Sequence, residues 1–244
     1  MPVDSLSFRA VAVRACLLIL GWVVLVAVFV GAGHVVVGSR AINGFDRHIT
    51  TWVVAHRTLA LDVSMRMITW IGSWIAFAAT AVVVLVAVVT KRLMAVALGL
   101  LAVIWAGENA AFNVVKHLIG RPRPPRGIWL AGAGGWSFPS GHAANATAVC
   151  ASATIVVFLV TRRGWVRMAM AAMAFLVVAL VAFSRVELGV HWTTDVVAGG
   201  LLGAVWLALV VLIFAGTLRR NVPEPDGTLS RGDGGSSGSA AGMR

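Results

Sequence analysis

Residues 15–39 read ACLLILGWVVLVAVFVGAGHVVVGS, a stretch without Lys, Arg, Asp or Glu. A helix that crosses the hydrocarbon core of a bilayer needs about 20 such residues. Runs of the same kind recur at Met67–Thr90, Met168–Ser184 and Val196–Leu218. The first run follows Arg9 and Arg14, as a signal peptide's apolar region would, but it exceeds the roughly 7–15 residues of that region. We therefore read it as a retained span.

Working outward, the sequence divides into six spans at about 12–36, 66–90, 93–117, 141–161, 166–184 and 193–218. The predicted fold class is all-α, a polytopic membrane protein with six transmembrane helices. The fourth and fifth spans are short, which leaves little room for tilt. Residues 1–220 form the membrane domain. Residues 221–244 are rich in Gly, Ser and Pro, cannot bury enough apolar surface to offset ordering, and are expected to be a disordered tail. The segment 40–64 mixes Ile42, Phe45, Ile49, Trp52, Val53 and Leu59 with polar residues. Either a helix lying on the membrane surface or an ordered loop packed on the spans fits it.

The composition agrees: 59% of residues are hydrophobic, 12% are charged, and the mean hydropathy is +0.92. The net charge of +11 does not point to nucleic acid, because the cations flank apolar runs or sit in polar clusters rather than on one soluble face. Six spans put both termini on one side. That side carries Arg9, Arg14, Lys91, Arg92, Arg162, Arg163, Arg167, Arg219, Arg220, Arg231 and Arg244, including every dibasic or tribasic turn. The other side carries Arg40, Arg47, Arg57, Arg66, Lys116, Arg121, Arg123, Arg126 and Arg185. With Lys116, Arg123 and Arg185 set aside as site residues, the excess of positive charge predicts cytoplasmic termini. Cys16 and Cys150 lie in apolar runs and read as small hydrophobes rather than a bridge. Ten Trp and no Tyr leave any interfacial aromatic belt to Trp.

Three polar stretches stand out at the membrane edges: Lys116–Pro124 (KHLIGRPRP), Pro139–His142 (PSGH) and Ser184–Asp195 (SRVELGVHWTTD). His191 and Asp195 are four apart where the sixth span begins, so they share a helix face. The Asp195 carboxylate can fix one ring nitrogen of His191 and leave the other free as a nucleophile. Arg185 offers a planar fork suited to phosphate oxygens. In the second stretch, the backbone N–H groups near Ser140, Gly141 and His142 open a helix, a ready anion site. His142 is then placed as a general acid for the leaving oxygen. Lys116 and Arg123, on a loop stiffened by Pro122 and Pro124, can clamp a phosphoryl group whose charge builds in the transition state.

Taken together the stretches resemble the type 2 phosphatidic acid phosphatase (lipid phosphate phosphatase) family, whose signature is K-x6-R-P, P-S-G-H and S-R-x5-H-x3-D. The match covers about residues 108–200 with no departure at a signature position. The resemblance implies a six-helix membrane fold with its site at the outer face. It also implies metal-independent removal of phosphate from a lipid phosphate or diphosphate, with no cofactor. By the same resemblance His191 forms a phosphohistidine, Asp195 orients it, and His142 protonates the leaving group and then activates water. Lys116, Arg123, Ser140, Gly141 and Arg185 hold the phosphate oxygens. Soluble haloperoxidases and acid phosphatases share the signature, but the apolar runs argue against a soluble member. The implied partners are a lipid phosphate and the membrane lipids, with no nucleic acid; oligomeric state is not legible.

Glu108 lies inside the third span and reads as a structural contact between helices or as support two turns below Lys116. Asn145 is one turn after His142 and could brace it. Glu187 reads as a solvated loop acid or as a residue that tunes Arg185, and Gly199, Gly200 and Gly203 as points of close helix approach. Two other functions fit the cations: an anion transporter or channel, and a lipid phosphotransferase.

Overall fold

The protein, seen in a computed structural model, is described over residues 3–90 and 96–220. The expected tail, 221–244, lies outside the described residues. The helices are α1 (Val3–Gly38), α2 (Arg40–Ala55), α3 (Leu59–Ile68), α4 (Trp74–Val89), α5 (Val96–Ile119), α6 (Gly141–Val160), α7 (Gly164–Glu187) and α8 (Thr193–Arg220). No strand occurs among the described residues. Five helices, α1 and α5–α8, are long and apolar enough to span a bilayer, and α3 with α4 make a sixth as a bent pair. The chain is an all-α integral membrane protein.

That bent pair corrects the expected second span. Instead of one helix over 66–90, α3 ends in a 3-10 turn, Thr69–Gly72, and α4 leaves it at 49°. Ser73 takes an extended conformation and its hydroxyl caps α4 by accepting from the Ala76 N–H at 3.5 Å. The run Met67–Thr90 carries no charge, so only the Gly72-Ser73 pair marks the break. The cause is tertiary: Gly72 packs on the His142 carbonyl, which would stand 2.5 Å from any added Cβ.

The segment after α1 also differs from a purely surface element. Ser39 caps α2 by accepting from Ile42 N, and Asn43 donates to the Val36 and Val37 carbonyls in the last turn of α1 and to the Ser39 carbonyl. The resulting elbow lays α2 across the bundle edge. Phe45 and Trp52 are exposed, whereas Asp46, Thr50 and Val53 are buried toward α7 and α8.

α6 is the central helix. Ala143, Ala144, Ala146 and Ala148 are all buried, and these small residues let α7 and α8 approach closely. The expected glycine contacts hold at two positions on α8. A side chain at Gly199 would run into the Ser140 carbonyl, and one at Gly203 would meet Thr147. The main core joins α1 (Leu25, Phe29), α5 (Ile104, Phe112, Val115) and α8 (Leu202, Trp206, Val210). Trp22 and Trp206 lie in this core region and satisfy their indole N–H groups on the Gly107 and Ile104 carbonyls. Outward-facing Leu17, Ile19, Val24, Val82, Phe175 and Leu212 are exposed, as a lipid-facing shell requires. Cys16 and Cys150 are both free thiols.

Candidate active site

The three polar stretches converge at one end of the bundle, where α5 ends and α6 and α8 begin. The Ser140 N–H donates to the Asp195 carbonyl at 2.9 Å, which ties the start of α6 to the start of α8. A cis Phe138–Pro139 bond precedes this contact. The turn after α7 carries Gly189 at φ +72°, a left-handed conformation that favours glycine. Any side chain there would also run into the Ile128 carbonyl. Arg57 straps the same turn to the loop by donating to the Glu187 and Ile128 carbonyls.

His191 is fully enclosed in this turn, 2% exposed. Its Nδ1 stands 3.5 Å from Asp195 Oδ2, and its Nε2 accepts a hydrogen bond from Arg123 at 3.0 Å. A guanidinium can only donate, so Nε2 carries a lone pair and the ring proton of the neutral imidazole is on Nδ1, facing the carboxylate. Burial, with the cations Arg123 and Arg185 nearby, holds this imidazole down at about 3 although Asp195 opposes the shift. The ring is therefore neutral at physiological pH, with its free electron pair on Nε2.

Asp195 is held from several sides. Its Oδ1 accepts from Arg121 at 2.6 Å; its Oδ2 accepts from the Ser137 hydroxyl and from the Trp192 N–H at 2.9 Å. Arg121 in turn donates to Asp46 at 2.7 Å, Asn43 at 3.0 Å and Thr194 at 2.8 Å. Asp46 closes the ring by accepting from the Thr194 N–H and hydroxyl. An Asp46–Arg121–Asp195 triad is thus buried beneath the His191 turn.

The phosphate-binding candidates surround Nε2. Arg123 also donates to the carbonyls of Val190, Gly134, Gly135 and Trp136, and Lys116 donates to Trp136 O at 2.9 Å. Ser140 is buried with its hydroxyl unpartnered, and it makes no side-chain cap on α6, so the first N–H groups of that helix stay open. His142 lies within electrostatic reach of His191, Arg123, Lys116 and Arg185. Arg185 is buried, its Nε unpartnered, and one terminal nitrogen donates to Thr69 at 2.8 Å. The Ser140 hydroxyl, the first α6 N–H groups and Arg185 Nε are thus open donors near the lone pair, whereas the N–H groups of Arg123 are held by loop carbonyls and His191. This is the arrangement of charge and donors that phosphoryl transfer to an imidazole needs. Among the described residues, no group of three or more His, Cys, Asp or Glu converges as a metal cluster.

Three of the secondary expectations change. Asn145 makes no hydrogen bond to His142, and its amide oxygen is buried without a partner. Glu108 is fully buried and both carboxyl oxygens lack partners, so it forms no bond to Lys116. Glu187 is buried at the end of α7, 1% exposed, rather than a solvated loop acid, because the Arg57 strap folds the turn over it.

Sequence reasoning missed Arg121, Asp46, Ser137 and Thr69. Arg121 stood in view two residues before Arg123, but its partners are distant in the chain. Thr69 sits on the kink of the second span, so the bend serves the site by bringing a hydroxyl to Arg185. Replacing Thr69 with Val removes a hydrogen bond to a charged group, worth about 1.5 kcal/mol, and is expected to raise KM for phosphate substrates about tenfold. Thr69→Ser should restore it. Equal KM in Thr69→Val and wild type would remove Thr69 from the site.

Residues 93–219 match the PAP2 superfamily. Phosphatidylglycerophosphatase B of Bacillus subtilis is 37% identical over 116 residues, 46% of this chain and 56% of that protein. Undecaprenyl-diphosphatase of Sulfolobus acidocaldarius is 39% identical over 75 residues, 31% of this chain and 32% of that protein. The matched stretches thus span about half and about a third of the length of these curated relatives. Among solved structures, a transmembrane PAP2-type phosphatidylglycerolphosphate phosphatase from Bacillus subtilis superposes with a TM-score of 0.66 at 26% identity, over 82% of this chain and 94% of that one. LpxE of Aquifex aeolicus shares the fold with a TM-score of 0.53 at 20% identity, over 68% of this chain and 93% of that one.

Proposed function

Since the chain belongs to the PAP2 superfamily, we propose that it is a membrane-embedded phosphatase that hydrolyses a lipid phosphate or diphosphate. Relatives named for phosphatidylglycerophosphate and undecaprenyl diphosphate support that substrate class, with phosphatidic acid a third candidate. The observation that carries the reading is the His191 ring. Its Nδ1 proton faces Asp195 and its Nε2 lone pair faces the cationic donors.

In this mechanism Nε2 attacks phosphorus while Lys116, Arg123, Arg185, Ser140 and the N–H groups of Gly141 and His142 hold the oxygens. The P–O bond to the lipid breaks as His142, protonated when the anionic substrate binds and offsets the surrounding cations, gives that proton to the leaving oxygen. Asp195 stabilises the phosphorylated imidazole through the Nδ1 proton. His142, now neutral, takes a proton from water, which attacks phosphorus, and His191 leaves as free inorganic phosphate forms. The cations supply the charge stabilisation, so no metal enters a step. The bias of Lys and Arg toward the termini's side supports cytoplasmic termini and a site at the extracytoplasmic face.

The test is purified protein in detergent with a panel of lipid phosphates and diphosphates and a chelator present. Phosphate release that survives the chelator is the expected result. Release that requires added magnesium would overturn the metal-free mechanism. Anion flux through proteoliposomes that persists without any hydrolysis would favour a transporter instead.

A further inference from the structure

We propose that a cavity beside Arg121 is a second anion site, for the phosphoryl group of an anionic phospholipid headgroup or of free phosphate. The cavity holds about 230 Å³ and is lined by Val37, Asn43, Arg47, Arg121, Pro122 and Trp192. It shares no residue with the cradle formed by Lys116, Arg123, Ser140, His142, Arg185 and His191. Its volume is roughly that of seven or eight waters, enough for a phosphoryl group with its glycerol and too small for an acyl chain.

Two donors make it an anion site rather than a polar gap. Arg121 has only 3% of its side chain exposed. Its terminal nitrogens are committed to Asn43, Asp46, Thr194 and Asp195, and its Nε–H has no acceptor among the described residues. Arg47, one residue after Asp46 on α2, is exposed and makes no hydrogen bond or ion pair among the described residues. A buried guanidinium with one free donor and a second, uncommitted guanidinium suit a phosphate bridging both. Trp192 forms the wall, with Arg121 lying 5.7 Å from its ring centroid.

Position selects the class of ligand. Val37 is in the last turn of α1, where the first span leaves its apolar run, and the α1–α2 elbow turns the chain along the membrane edge. The cavity therefore sits at headgroup depth. Asp46 and Asp195 lie behind Arg121 and together outweigh its single positive charge, so Arg121 contributes a hydrogen-bond donor and the charge that holds an anion comes from Arg47. Binding at this site does not depend on the activity proposed above.

Native mass spectrometry of the full chain in detergent tests it, with phosphatidylglycerol, zwitterionic phosphatidylcholine and inorganic phosphate as probes. Wild type should retain phosphatidylglycerol in preference to phosphatidylcholine. Arg47→Gln should weaken that retention about tenfold, as loss of one charge-assisted contact predicts, and Arg47→Lys should keep most of it. Arg47→Gln should melt at the wild-type temperature, since the side chain is exposed and unpaired. If the substitution weakens lipid retention alone, the ligand is a headgroup. If it weakens the binding of inorganic phosphate, measured by calorimetry on lipid-free protein, the site also takes free phosphate. Arg47→Gln that binds both probes as wild type does would overturn the proposal.

Discussion

His191→Ala is expected to lower turnover of every lipid phosphate the protein hydrolyses by about 10⁴-fold or more, the scale seen when a nucleophile is removed from a unit that acts together. The His191 Nε2 is the one ring atom that combines a lone pair with contact to the cationic donors, and the other ring nitrogen faces Asp195. A residual rate remains, because the open donors still bind and polarise the substrate. Rapid acid-free quenching of wild type with radiolabelled substrate should trap a phosphoryl group that is stable to base and lost in acid, as expected of a phosphorylated imidazole. His142→Ala adds a sharper result. With a substrate whose leaving group needs no proton, the first step proceeds and the second lacks its base, so labelled protein should accumulate. Label that persists in His191→Ala, or a rate within tenfold of wild type, would assign the nucleophile elsewhere.

Arg121→Ala should have the second-largest effect, and on stability as well as rate. The guanidinium is the sole cation bonded to both Asp46 and Asp195 among the described residues, at 2.7 and 2.6 Å. Its removal leaves two carboxylates buried and uncompensated. Breaking a buried pair from one side costs about 3–5 kcal/mol, so Arg121→Ala should melt well below wild type in detergent or fail to accumulate. Arg121→Lys separates the two roles. It keeps the charge and the fold but cannot fork to two carboxylates at once. Asp195 then loses its fixed aim at His191, and kcat should fall about 10²-fold, the scale of a misplaced catalytic group, with KM little changed. Wild-type kcat in Arg121→Lys would reduce Arg121 to a fold-holding residue.

Much of this protein is legible from composition and spacing. A bilayer imposes about 20 apolar residues per crossing whatever the partners, so Ala15–Ser39 and Val196–Leu218 mark spans without reference to the rest of the chain. The catalytic signature is equally local. The spacing of four marks His191 and Asp195 as a pair, although His191 sits in the turn before α8 rather than on the helix that carries Asp195, and PSGH carries its own helix start. The bend in the second span does not follow from the sequence, although Gly72 and Ser73 stand in it, because a Gly-Ser pair inside a charge-free run is compatible with an unbroken span and the break answers a carbonyl of α6. The burial of Glu187 was hidden for the same reason, since its cover is supplied by Arg57 from a turn 130 residues away.

The sequence by itself determined that the chain lives in a membrane, how often it can cross, and which short motifs carry the family signature, since each follows from local composition and local spacing. Only the tertiary structure decided how those motifs are held. Asp46 and Arg121 lie 75 residues apart, and Thr69 and Arg185 lie 116 apart. A hydrogen bond between such residues depends on how whole helices pack, and no spacing along the chain records that.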